Sequence, residues 1–179
     1  MVEEARLVPT ENGLVPEGEG WFVVNAREAR WVENAAFGRW TTFEGDVRFP
    51  ELGINIGVAQ PGQPACMYHG ESTQEGFLVL SGECLLLVEG EERLLRAWDY
   101  FHCPAWTEHV LVGAGAGPCV VLAVGARTPD SSVVYPASEV ADRHGAGVPE
   151  TTKSPREAYA PYPEDVERPY RPGDLTDPP

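Results

Sequence analysis

The sequence predicts an all-β sandwich or barrel followed by a proline-rich tail. Between Trp21 and about Ala126, short apolar runs rich in aromatic and β-branched residues alternate with turn-forming residues, and no helical periodicity competes with them. Many short strands separated by regular turn signals are typical of all-β folds. After Arg127 the apolar runs become sparse, and ten of the 17 prolines lie from Pro129 onward. The chain therefore changes character once, near residue 127.

The length and composition fit one compact domain with an extension at each end. The chain has 179 residues, of which 42% are apolar, so it can bury a core without help from disulfides. We expect an N-terminal arm over residues 1–20, the barrel over residues 21–126 and a C-terminal extension over residues 127–179. The arm is polar and contains glycine, which distinguishes it from the aromatic stretch that follows.

Nine apolar runs mark the predicted strands. Two turns lie between clear partner runs, one at Glu89 to Glu92 and one at Ser81 to Glu83. Turns of this composition between apolar runs favour hairpins, so an antiparallel meander is the expected topology. The runs are, in chain order, WFVV, RWTTFEG, LGINIGVA, EGFLVL, CLLLVEG, ERLLRAW, YFHC, HVLVG and CVVLAVG.

The stretch from Trp21 to Trp40 is unusually aromatic, with three tryptophans and two phenylalanines. Two interpretations stay open: this stretch forms a wall of the core, or it pairs with a second subunit. Exposed apolar strand edges are usually covered, which is why the second interpretation has weight.

Two short helices are predicted in the C-terminal extension, which otherwise has the composition of a segment that drapes over a core or is partly disordered. In SEVADRHG, Ser138 is the expected N-cap and Gly145 lies just past the end. In SPREAYA, Ser154 and Glu157 form a capping box with Pro155 at the first helical position.

The charge balance argues against two classes of partner. The chain has 28 acidic and 13 basic residues and a formal charge of −15, which repels phosphate backbones and anionic lipid surfaces. We therefore expect no nucleic-acid partner and no membrane association. The N-terminus lacks the basic and apolar regions of a secretory signal, and no apolar stretch approaches 18 residues, so a cytoplasmic location is expected.

Four cysteines lie in the apolar middle of the chain, with no CxxC pair and no dense framework: Cys66, Cys84, Cys103 and Cys119. This pattern favours a reducing compartment, with each cysteine acting as a small buried apolar residue. Because Cys66 is near His69 and Cys103 follows His102, a zinc site that mixes thiolate and imidazole is a minor alternative.

Two spaced motifs resemble those of the cupin family. From His69 the chain reads HGESTQEGFLVLSG, and from Trp98 it reads WDYFHCPAWTEH. The first motif matches through Gly62, His69, Glu75 and Gly82, and the second through Asp99, Pro104 and His109. Trp98 stands where the family usually has glycine. The resemblance covers roughly residues 50 to 126 and implies a cupin double-stranded β-helix, which is a jelly-roll barrel.

One departure from the family pattern affects the metal site. The second histidine of the first motif is Glu71 here, so the ligand set that the resemblance implies becomes His69, Glu71, Glu75 and His109. An oxygen-richer set favours iron or manganese, with nickel or zinc next. Glu71 is a candidate ligand, and it is also a candidate acid or base, or a hydrogen-bond partner of a metal-bound water.

The residue types also point to a metal on physical grounds. An ionised glutamate inside an apolar barrel costs several kcal/mol unless a cation or hydrogen bonds offset it. The alternative is that Glu71 and Glu75 point to solvent and that the two histidines are ordinary polar surface residues.

Three functions remain open on the sequence. The leading one is a metal-dependent enzyme that acts on a small oxygen-bearing molecule, as dioxygenases, decarboxylases and isomerases do. We expect this enzyme to be a homodimer. The second is a small-ligand-binding or sensing module without catalysis. The third is a structural role in which the aromatic N-terminal stretch and the C-terminal extension bind partner subunits.

Overall fold

The computed structural model describes residues 1–175, which form fourteen strands and two short helices. The strands are β1 (Arg6–Thr10), β2 (Gly13–Glu17), β3 (Trp31–Asn34), β4 (Gly38–Thr41), β5 (Leu52–Ala59), β6 (Gly70–Glu71), β7 (Glu75–Ser81), β8 (Glu83–Val88), β9 (Glu91–Arg96), β10 (Tyr100–Cys103), β11 (His109–Ala114), β12 (Cys119–Ala126), β13 (Val133–Val134) and β14 (Val166–Arg168). The helices are α1 (Glu139–Arg143) and α2 (Pro155–Tyr159). Neither helix has the length and apolar character that crossing a bilayer requires.

Two sheets face each other. The larger has seven antiparallel strands in the order β10-β7-β12-β5-β4-β3-β14, and the smaller has the order β11-β8-β9. Isolated bridges from Pro64 to Val112 and from His69 to His109 extend the smaller sheet beyond β11, toward the β6–β13 pair. The N-terminal strands β1 and β2 form a separate hairpin.

The main core lies between the two sheets. Alternate residues of each strand point inward because successive side chains of a strand lie on opposite faces. Phe77 and Val79 from β7 meet Leu86 from β8 and Leu111 from β11 in one buried cluster. The antiparallel sheets and the few helices confirm the all-β barrel that the sequence predicts.

The two predicted hairpins have different outcomes. Val88 pairs with Glu91 across a two-residue turn in which Glu89 and Gly90 both have positive φ, as a tight hairpin turn requires. The expected hairpin at Ser81 to Glu83 is wrong, since β7 belongs to the larger sheet and β8 to the smaller. At Gly82 the chain instead crosses from the larger sheet to the smaller one. Local turn composition cannot distinguish such a crossing from a hairpin turn.

The aromatic stretch from Trp21 to Trp40 splits between environments. The predicted strand at WFVV does not form, and the side chains of Trp21 and Val23 are exposed. Trp31 is fully buried on the outer face of the larger sheet, against Val58 and Val120. Part of the stretch therefore builds the core, while its beginning lies on the surface.

The cysteines are not four separate thiols. Cys84 of β8 and Cys119 of β12 form a disulfide that connects the two sheets through the core. Cys66 and Cys103 are free. The expectation of four unpaired cysteines was wrong because the partners are 35 residues apart in sequence and meet only through the facing of the two sheets.

The C-terminal extension contributes side chains to three apolar clusters that it shares with the barrel. Val140 and Ala141 of α1 pack with Leu87 and Val110 on the outer face of the smaller sheet. Near the other end of the extension, Arg39 of β4 forms an ion pair with Asp174, and both side chains are only 4% exposed. The described part of the extension is therefore a folded layer.

Both predicted helices form where the sequence places them. The Ser154 side chain accepts a hydrogen bond from the Glu157 amide, and Pro155 starts α2. Ser138 is the N-cap of α1, although its side chain makes no capping hydrogen bond.

Candidate metal centre

Two histidines from distant parts of the chain lie side by side. His69 and His109 exchange two backbone hydrogen bonds, with N···O distances of 3.0 and 2.8 Å. This local antiparallel pairing brings the centroids of the two imidazole rings to 4.8 Å. The second motif thus reaches the first through strand pairing at the edge of the smaller sheet.

Each imidazole is oriented by its own backbone. Nδ1 of His69 lies 2.7 Å from the Met67 carbonyl oxygen, and Nδ1 of His109 lies 3.0 Å from the Thr107 carbonyl oxygen. Because a carbonyl can only accept, each Nδ1 carries the proton and donates it. Nε2 of each ring is then the atom with a free lone pair, which is the arrangement that metal-binding histidines usually have.

Glu75 provides the third donor. It is the first residue of β7, and its Oε2 lies 3.5 Å from Nε2 of His109. This oxygen is buried and has no hydrogen-bond partner among residues 1–175. Donor atoms of His69, Glu75 and His109 all lie within 4.8 Å of one another, so one ion could bind them together.

The charges of these groups are strongly perturbed. Burial, together with the nearby Glu71 carboxylate, raises the pKa of Glu75 to about 8. Burial and the neighbouring His69 ring lower the pKa of His109 to about 4. His109 is therefore neutral at pH 7 and ready to act as a ligand, while the charged form of Glu75 is disfavoured and would be stabilised by a bound cation.

Glu71 lies at the border of this group. Its Oε1 is 3.7 Å from Nε2 of His69, but it does not belong to the cluster of three donors. The side chain is 36% exposed, and β13 pairs with its backbone through Val133. Its position fits a fourth ligand and fits an acid or base equally, so its role stays a prediction.

The thiolate alternative has little support. The sulfurs of Cys66 and Cys103 lie 3.7 and 3.4 Å from Nδ1 of His69 and His109, on the side of each ring that already donates to a carbonyl. Burial raises the pKa of Cys103 to about 12 and that of Cys66 further. Both are therefore protonated thiols behind the rings.

The donors open into a cavity of about 670 Å³. Its walls come from both sheets and from the C-terminal extension, which contributes Tyr135, Tyr159, Tyr162 and residues 163–165. Pockets of this size and apolar character are typical of small-molecule sites. Through these residues the cavity depends on the extension as well as on the barrel.

Two tyrosines of the extension were missed by the sequence interpretation. The Tyr135 ring lies 6.0 Å from the His69 ring, and the Tyr159 hydroxyl accepts a hydrogen bond from the Met67 amide at 3.2 Å. Burial raises the pKa of Tyr135 to about 12 and raises the pKa of Tyr159 as well. The sequence of α2 predicts its capping but gives no signal that Tyr159 faces the barrel.

The remaining histidines lie away from the donors. His102 is exposed on β10, and Nε2 of His144 lies 3.1 Å from Glu92 at the surface. Trp98 directly precedes Asp99, and Trp106 lies two residues after Pro104. Both side chains are exposed, so they belong neither to the cavity wall nor to the core.

Comparison with known families identifies the barrel. Residues 56–125 match the family model described as the cupin domain. The chain therefore contains a cupin domain, which covers less than half of its 179 residues. The two sequence motifs from Gly62 to His109 lie within this match.

Solved structures similar to the barrel include several enzymes. A proposed sugar phosphate isomerase from Acidithiobacillus ferrooxidans has 26% identity and a TM-score of 0.44, covering 46% of this chain and 55% of that one. A sugar phosphate isomerase of the cupin superfamily from Silicibacter pomeroyi has 25% identity and a TM-score of 0.45, covering 48% and 56%. The polyketide cyclase RemF from Streptomyces resistomycificus has 16% identity and a TM-score of 0.41, covering 46% and 60%. The chain thus spans little more than half the length of the two isomerases, and no curated protein sequence matches it.

Proposed function

We propose that this protein binds one divalent transition metal through His69, Glu75 and His109, with Glu71 as a fourth ligand, and that it is a metal-dependent enzyme acting on a small oxygen-bearing molecule. The observation that carries the proposal is the buried, unpartnered Oε2 of Glu75 beside the free Nε2 of His109. A carboxylate oxygen without a partner in an apolar interior is costly, and a cation offsets that cost.

The types of the ligand residues indicate which metals the site would prefer. Imidazole and carboxylate ligands suit iron(II) and manganese, and two histidines with one carboxylate leave positions open for a substrate. Nickel or zinc comes next, because affinity order and metal supply can override ligand preference. When bound, such an ion would supply Lewis acidity toward a substrate oxygen and would lower the pKa of a bound water.

The chain's own groups have separate roles in this proposal. The backbone carbonyls of Met67 and Thr107 fix the orientation of the two imidazoles. Glu71, which lines the cavity at 36% exposure, is placed to accept or return a proton of a bound molecule.

The test is the metal content per chain, measured by plasma mass spectrometry on tag-free protein purified without chelator. We expect about one iron or manganese per chain, lost in His109→Ala and in Glu75→Gln. His102→Ala is the matched control, since it removes an exposed histidine from the neighbouring strand β10 and should leave the content unchanged.

Glu71→Gln separates the two roles of Glu71. If this substitution lowers the metal content, Glu71 is a ligand. If the metal content stays normal and turnover of a substrate is lost, Glu71 is an acid or base. Wild-type protein that holds no metal and takes up none when it is supplied would contradict the proposal and leave a ligand-binding cupin barrel.

A further inference from the structure

We propose that the cavity takes a small molecule with a cationic group, and that an acidic rim formed by Glu164 and Asp165 selects this molecule over anions. The inference rests on the proposed function only in taking this cavity as the ligand site. Its argument comes from the charges and side chains that line the cavity.

The cavity is lined by four carboxylates and by one basic side chain of the lysine or arginine type. Glu71 and Glu75 lie at the donor end, and Glu164 and Asp165 belong to the C-terminal extension. The whole chain carries a formal charge of −15, so no distant positive field offsets them. Even with Glu71 and Glu75 neutralised by a divalent ion, the rim keeps two negative charges.

The charge of the single basic side chain in the described lining is paired with Asp174, although its buried Nε has no hydrogen-bond partner among the described residues. Arg39 donates from Nη1 to Asp174 at 2.6 Å and from Nη2 to the Pro169 carbonyl at 2.6 Å. Its side chain is only 4% exposed. Apart from a metal ion at the donor end, an anion in the cavity would therefore face carboxylates without a cationic partner among the described lining residues.

The rim itself is held in place and is not neutralised. Oδ1 of Asp165 accepts a hydrogen bond from the Asn34 amide at 2.8 Å, and the same amide donates to the Pro163 carbonyl at 2.8 Å. Arg168 lines a neighbouring depression with Glu164, but its Nε lies 3.6 Å from the carboxylate of Glu33.

The walls between the donors and the rim are suited to an organic cation. Six aromatic side chains line the cavity: Phe37, Trp40, Phe77, Tyr135, Tyr159 and Tyr162. Aromatic faces attract cations and stack on planar groups. The combination indicates an amine carried on an aromatic or apolar body, with an oxygen atom that can reach the donor end.

Three phenols of nearly equal shape test this inference. Tyramine carries a positive charge at pH 7, 4-ethylphenol carries none, and 4-hydroxyphenylacetate carries a negative charge. Dissociation constants are measured by calorimetry at low and high salt. We expect tyramine to bind about tenfold more tightly than 4-hydroxyphenylacetate at low salt, with a smaller ratio at high salt, because rim charges act over a few ångströms and are screened.

The double variant Glu164→Gln/Asp165→Asn assigns the preference to the rim. Asparagine keeps the oxygen that accepts from Asn34, so the fold of the rim is preserved. The ratio should fall severalfold in this variant. The control Glu11→Gln/Asp130→Asn makes the same change in net charge at two exposed positions outside the cavity and should leave the ratio unchanged.

Equal or tighter binding of 4-hydroxyphenylacetate would overturn the inference, and so would a ratio that the rim variant does not change. The measurements are repeated on chelator-treated protein whose metal content has been checked. If the chelator-treated protein still prefers tyramine, the result supports the rim even when no metal binds to the protein. If the chelator-treated protein shows no such preference, the inference is overturned even when the metal site is confirmed.

Discussion

The cupin domain and the C-terminal extension differ in how visible they are in the sequence, but the site draws on both. The domain supplies all four predicted ligands, and its motifs identify it. The extension has the composition of a tail, and yet it contributes Tyr135, Tyr159 and the acidic rim to the cavity. A motif search therefore finds the candidate metal donors while it overlooks a large part of what surrounds them.

The extension is also part of the protein's hydrophobic structure. Of the four apolar clusters formed by the described residues, three include side chains from beyond residue 127. Val140 covers the smaller sheet, Tyr170 covers the larger one, and Ala158 packs beside Met67. The outer faces of the barrel are apolar, and the extension removes them from water.

Replacing Asp174 tests whether the end of the extension folds with the barrel. In Asp174→Ala the buried guanidinium of Arg39 loses its ion-pair partner, and we expect the free energy of unfolding to fall by about 3–5 kcal/mol. Denaturant unfolding followed by tryptophan fluorescence measures this change.

Arg171→Ala is the control for that measurement. Arg171 also lies 3.0 Å from Asp174, but it is 51% exposed, so its loss should cost less than about 1 kcal/mol. Equal, small effects of both substitutions would show that residues 169–175 detach from the barrel in solution.

The effect of the disulfide on stability can be compared with that of the Arg39–Asp174 ion pair, because the disulfide lies inside the barrel. Reduction of Cys84–Cys119 should lower the free energy of unfolding by about 3–4 kcal/mol, because the bond closes a loop of 35 residues in the unfolded chain. Thiol titration of denatured protein should find two thiols before reduction and four after it.

Cys66→Ala supplies the control, with one thiol before reduction and three after it. Four reactive thiols in unreduced wild-type protein would contradict the disulfide and restore the original expectation of four separate cysteines.

The sequence predicts the barrel well for a physical reason, and the residues that it offers as donors stay a prediction. Strand period, turn residues and ligand spacing are local properties, and they determine which face of β7 or β11 points inward. The short helices were also predictable, because the capping of α2 by Ser154 is local. The same local signals failed at Gly82, where the chain crosses between sheets.

What the sequence could not predict depends on contacts between distant segments. The pairing of Cys84 with Cys119 requires that two sheets face each other. The placement of Tyr159 requires that α2 pack beside Met67. The spacing of residues in the sequence does not predict this contact. The homodimer and the cytoplasmic location stay predictions for the same reason, since both depend on what lies outside one chain.

Tyr159→Phe tests whether the extension acts on the metal donors as well as covering the barrel. The substitution removes the hydroxyl that accepts from the Met67 amide, and the carbonyl of the same residue holds the His69 ring. We expect a loss of about 1–3 kcal/mol in the free energy of unfolding, because a buried amide loses its partner. We also expect metal affinity to fall by about tenfold, as it does when groups that orient ligands are lost.

Competition with a chromogenic chelator measures the affinity, and Tyr162→Phe is the control. Tyr162 lines the same cavity, but its hydroxyl donates to the Gly145 carbonyl at 3.4 Å and not to a residue that holds a candidate metal ligand, so metal binding should be unchanged. If Tyr159→Phe lowers stability and leaves metal affinity intact, the extension covers the barrel without orienting His69. If Tyr159→Phe lowers metal affinity more than Tyr162→Phe does, α2 helps to orient His69 for metal binding. The connection is short, because Met67 bonds to the Tyr159 hydroxyl through its amide and to the His69 ring through its carbonyl.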